Sequence, residues 1–151
     1  MRSVKSTATA FAFLAGTTLA LAGAPPTKQD AIAMVNMAVA TIKADGPQKA
    51  YAEINNGGKF VNGEIYVVVQ SFDGTVLAHA TNNKLVGKHM IDAQDVDGKY
   101  FVRDMSNLGR KEASFWYEYK FVNPQTRKIA PKEMYCQSLN QTTVCAGIYK
   151  S

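Results

Sequence analysis

The sequence predicts an α+β fold: a five-stranded antiparallel sheet, led by two helices and interrupted by a helical excursion between its second and third strands. Three observations predict it. Helical periodicity is confined to the residues before Gly57 and to residues 99–108, whereas β-branched or alternating runs fill 65–72, 75–80, 115–121 and the end of the chain. Short turns join successive strands at Asp73-Gly74, at residues 123–126 and at Asn140-Gln141, and connections that short permit only antiparallel pairing. No internal repeat or low-complexity tail competes with this reading.

Residues 1–22 are expected to be a signal peptide. Arg2 and Lys5 make a positive start, residues 8–19 are small and apolar, and Ala20-Leu21-Ala22 fits the small-x-small cleavage rule. The apolar run is short and broken by Thr9, Thr17 and Thr18, which disfavours an uncleaved anchor. Residues 23–151 then form one domain, periplasmic or secreted and long enough to bury a core. Two of the 17 basic residues leave with the leader while all 12 acids stay, so the exported chain carries +3. No basic face with interleaved aromatics accompanies that mild charge, and nucleic acid is not an expected partner.

Thr27 and Asp30 form a capping box with Asp in the usual Glu place, opening a helix with Ile32, Val35, Val39 and Ile42 on one face. It ends at Asp45-Gly46, and Pro47 starts a second helix that stops at Gly57-Gly58. Residues 60–64 read as a loop. Residues 65–72 are apolar on nearly both faces, as in a central strand, and Asp73-Gly74 turns them onto residues 75–80. Asp92, Asp95 and Asp97 lack EF-hand spacing, so Asp95 or Asp97 is expected to cap the helix over 99–108. That helix places Phe101, Met105 and Leu108 together.

The richest stretch is residues 114–135. Phe115, Tyr117, Tyr119 and Phe121 point one way and Trp116, Glu118 and Lys120 the other; Pro124 breaks the run, and a returning strand starts near Lys132. Aromatic walls with one fixed cation suit a small anion, and equally an ordinary sheet core. Cys136 and Cys145 are expected to form a disulfide, because a turn at Asn140-Gln141 sets them opposite each other. Closing so short a loop is worth about 2–3 kcal/mol. No CxxC motif or His at ligand spacing points to a metal. The element order describes a PAS-like sheet, with any cavity between the sheet and the helical excursion.

The run Tyr66…Phe72-Asp73-Gly74…Leu77-Ala78-His79, then Leu85-Val86-Gly87-Lys88 and Asp95 to Val102, resembles a single Cache domain of the second type. So do Trp116-x-x-Tyr119-x-Phe121-x-Asn123-Pro124-x-Thr126-x-Lys128, Pro131-Lys132-x-x-Tyr135 and Ala146-Gly147-Ile148-Tyr149. The resemblance covers nearly all of the exported chain. It implies an extracytoplasmic PAS-like sensor binding a small organic acid such as acetate, propionate, lactate or pyruvate. The chain departs from the pattern at Ser114-Phe115, at Arg127 where the family has Gly, and in its cysteine pair. No signalling domain is expected after Ser151, so output is expected through a partner, a membrane receptor or histidine kinase.

On that resemblance Lys132 would supply the charge, Tyr117 and Tyr135 hydroxyl donors, and His79 a pH-dependent donor. Trp116, Phe101 and Met105 would form the apolar wall. Strand parity sets Lys132 against Tyr135, and Trp116 against Tyr117, unless Lys132 precedes its strand. The alternative is a module of this fold without a ligand, dimerising or docking through its first helix. No nucleophile–base pair, phosphate loop or metal set appears, so neither catalysis nor a cofactor is expected.

Overall fold

The computed structural model describes residues 23–150; the expected signal peptide, residues 1–22, lies outside the described residues. Helix α1 (Lys28–Asp45) opens on the expected capping box, with the Thr27 N–H donating to the Asp30 carboxylate at 2.7 Å. Gly46 at φ 83° ends it, and Pro47 starts α2 (Pro47–Asn55).

Residues 61–66 depart from expectation. A small ribbon pairs β1 (Val61–Asn62) with β2 (Ile65–Tyr66), and the single strand expected over 65–72 breaks at Val67. There the backbone changes partners: the Val67 N–H donates to the Phe60 carbonyl, and the Val67 carbonyl accepts from Ala80. Strand β3 (Val68–Ser71) then turns through Asp73-Gly74 into β4 (Val76–His79).

Helix α3 (Phe101–Gly109) follows the loop, and its capping differs from expectation. Tyr100 precedes it without a side-chain cap. Asp95 instead accepts N–H bonds from Asp97 and Lys99 in its own loop, and from Lys120 at 2.9 Å. An Asp just before a helix reads as a cap locally, but here one carboxylate oxygen closes the loop and the other ties it to the sheet. Asp97 pairs with Lys120 and Asp92 with Arg103.

The aromatic hairpin is β5 (Ser114–Val122) and β6 (Ile129–Leu139), and β7 (Thr142–Tyr149) closes the chain. The larger sheet has the order β4-β3-β7-β6-β5, every neighbour antiparallel. Thus β3 is interior, as its composition requires, and β7 takes the middle. Asn140 and Gln141, at φ 47° and 59°, make the tight β6–β7 turn. Leu139 then pairs with Thr142 and Cys136 with Cys145, and those cysteines are bonded. Alternation divides the sheet's two faces. Helix α1 packs on Val69, Val144 and Ala146; α3 packs on Tyr119, Met134 and Cys145. Among the described residues no helix is long and apolar enough to cross a membrane.

Candidate functional site

A cavity of about 30 Å³ lies between the sheet and α3. That is room for about two water molecules. Phe101, Val102 and Met105 of α3 close it from above, and Met134 and Cys145 form part of its floor. Its polar side chains are Tyr66, Gln70, His79 and Tyr119. Gln70 donates to the Val102 carbonyl at 3.3 Å, which ties β3 to α3 across the cavity.

Lys132 stands on β6, inside the strand rather than before it. Its side chain points to the α3 face with Met134 and Cys136 and is fully buried, 0% exposed. Nζ lies 3.8 Å from the centroid of the Tyr66 ring and 4.9 Å from that of Tyr149. Lys132 is therefore not itself a cavity wall; it sits against one, Tyr66. Among the described residues its amine has no hydrogen-bond partner.

The surroundings account for that isolation. The Tyr149 hydroxyl donates to the Val122 carbonyl at 2.7 Å, so the Tyr66 hydroxyl, 3.3 Å away, donates to Tyr149. Glu64 favours the charged amine, but its oxygens accept from the Asn123 side chain at 2.8 Å and the Tyr149 N–H at 3.1 Å. Burial pushes the Lys132 pKa below the usual lysine range, with Tyr66 and Glu64 partly opposing. The magnitudes agree in sign. Desolvating an ammonium costs several kcal/mol, whereas a buried cation–π contact returns about 2 kcal/mol.

His79 ends β4, buried and stacked on Tyr66 with ring centroids 5.1 Å apart. Its Nδ1 accepts N–H bonds from Asn82 at 3.1 Å and Thr81 at 3.4 Å. The ring is therefore neutral with its proton on Nε2, a donor left free for the cavity. Burial, with Lys132 second, lowers its pKa to about 4. The donor expected to vary near neutral pH is consequently constant there.

Phe101 and Met105 line the cavity, as the sequence reading places them. Three other expected contacts do not. Tyr117 points to the correct face, but its hydroxyl donates to Asp104 at 2.6 Å. Trp116 and Tyr135 lie on the opposite face, with ring centroids 5.2 Å apart. There Lys28 of α1 sits 4.9 Å over Trp116 and pairs with Glu133 at 2.9 Å. Alternation forbids Tyr135 and Lys132 from sharing a side once both lie in one strand. Sequence reasoning missed Tyr66, Gln70, Tyr119 and Tyr149. Tyr119 was recoverable, because it has the parity of Tyr117; Tyr66 was hidden by the unforeseen break at Val67.

Comparison with known proteins gives the same fold. The family model described as Single Cache domain 2 matches residues 27–149. A methyl-accepting chemotaxis protein from Vibrio parahaemolyticus is 23% identical, with a TM-score of 0.70 over 81% of this chain and 87% of that one. A Cache chemosensory domain described for carboxylic acid recognition is 21% identical, with a TM-score of 0.66 over 82% and 88%. A periplasmic sensor domain of a chemotaxis protein gives 21% and 0.65 over 82% and 90%. No curated protein matches significantly.

Proposed function

The chain belongs to the Single Cache domain 2 family, and we propose that it is an exported sensor module that binds a short monocarboxylate of the acetate, propionate, lactate or pyruvate class. The observation that carries this is Lys132: a fully buried amine without a hydrogen-bond partner, set against a wall of an apolar cavity. A carboxylate would supply the missing acceptor, with the free Nε2–H of His79 as a second donor. The small resting volume favours the shortest acids and requires wall side chains to give way. Met90, Met105 and Met134 are suited to that, being unbranched and adaptable. A carboxylic-acid-recognising Cache domain among the structural neighbours supports the ligand class. A periplasmic sensor domain of a chemotaxis protein among them supports export; the output is proposed to pass through a membrane receptor or histidine kinase. We propose binding rather than catalysis, with residues 1–22 as the cleaved leader of one domain.

Thermal shift against the four acids tests this. A true ligand at a hundredfold excess over its dissociation constant stabilises the fold by about 2.7 kcal/mol. Lys132→Ala should weaken the best acid at least about tenfold, the loss of one charge-assisted hydrogen bond. If no acid shifts the melting temperature, the chain is a ligand-free interaction module.

A further inference from the structure

We infer that the site takes up its carboxylate together with one proton, so that the chain responds jointly to the anion and to pH. This rests on the carboxylate reading above. The groups facing the Lys132 amine come from every element around it: Tyr66 of β2, His79 of β4, Tyr119 of β5, Tyr149 of β7, and Glu64 just before β2. Among the described residues none accepts a hydrogen bond from it. Burial raises the pKa of Tyr119 and of Tyr149, so both hydroxyls keep their protons. His79 is neutral, with Nδ1 occupied by backbone N–H groups. Glu64 has both oxygens engaged elsewhere. The empty site therefore favours an uncharged amine.

A carboxylate entering beside the amine reverses that preference, because an adjacent opposite charge favours the protonated form. The balance is one carboxylate anion, one solvent proton and one neutral amine giving an ammonium–carboxylate pair. No covalent bond of the ligand changes. The pocket's charge is the same before and after, so neither state buries an unpaired ion. A receptor built this way weakens as the medium turns alkaline even at constant acid concentration.

Calorimetric titration of acetate into the full chain, in two buffers of different ionisation heat and from about pH 6 to about pH 10, tests it. The expected result is a buffer-dependent heat approaching one proton taken up per acetate. Above the amine's own pKa in the empty site, affinity should fall about tenfold per pH unit. Lys132→Arg, permanently charged, should lose the uptake; should that variant not fold, the native protein's slope decides. Acetate binding with flat affinity and no buffer dependence, or uptake confined to the acidic range of His79, overturns the inference and leaves the carboxylate reading intact. No heat with acetate, propionate, lactate or pyruvate removes both.

Discussion

Lys132 holds a position that stability alone does not favour. A buried amine with no partner costs more than an apolar side chain of similar length. Lys132→Met is therefore expected to raise stability by about 1–3 kcal/mol while removing the response to carboxylates. Urea unfolding checks the first half, and a loss of stability would show that the amine supports the fold instead. His79 provides a second residue-level test. Its pKa falls from 6.5 to about 4 on folding, so the unfolded chain binds more protons across that window. Stability should then rise with pH through it, and acidification to about pH 4 should cost up to about 3 kcal/mol. His79→Gln should flatten this acid limb in chemical unfolding at a series of pH values. Arg127 stands at φ 59°, in the left-handed region that favours glycine. Arg127→Gly should stabilise by about 0.5–1 kcal/mol, since only glycine occupies that region without Cβ strain. At this scale the sequence was legible where chemistry was unusual. A lysine among aromatics stood out, whereas Tyr117 looked like a free hydroxyl donor because Asp104, which occupies it, lies in another element, and Tyr135 because its side of the sheet depends on where its strand begins.

Elements were read more fully than residues. Capping chemistry at Thr27, proline at 47 and the alternation of 115–121 each act within a few residues, so their outcome is local. The break at Val67 and the role of Asp95 depend on Phe60, Ala80 and Lys120, which no local pattern exposes. The β6–β7 register shows how one turn propagates. Two left-handed residues at the tip bring Cys136 opposite Cys145 on the cavity side. Reducing that bond should cost about 2–3 kcal/mol, seen as a lower urea midpoint. Gly147 faces Met134 across the same pair of strands, and a Cβ there would come within 2.7 Å of the Met134 sulfur and press on the Glu133 carbonyl. Gly147→Ala should destabilise by about 1–3 kcal/mol by overpacking the cavity floor.

The whole molecule divides its labour between the two faces of one sheet. One face, under α1, is sealed by a continuous apolar core; the other, under α3, keeps a small cavity and a buried amine beside it. The sequence showed that a cavity would lie between sheet and excursion, because helices flank the strand runs in that order. Its small volume was not legible, since volume depends on how methionine and aromatic side chains interlock. Nor could alternation settle the Lys132 side before the strand's first residue was known to be Ile129. The most direct test of the account is a crystal structure of the chain grown with acetate. It should show the acetate carboxylate about 2.7–2.9 Å from the Lys132 amine, with the cavity enlarged around the methyl group. An amine still without an anion beside it, in crystals soaked to saturation, would contradict the account.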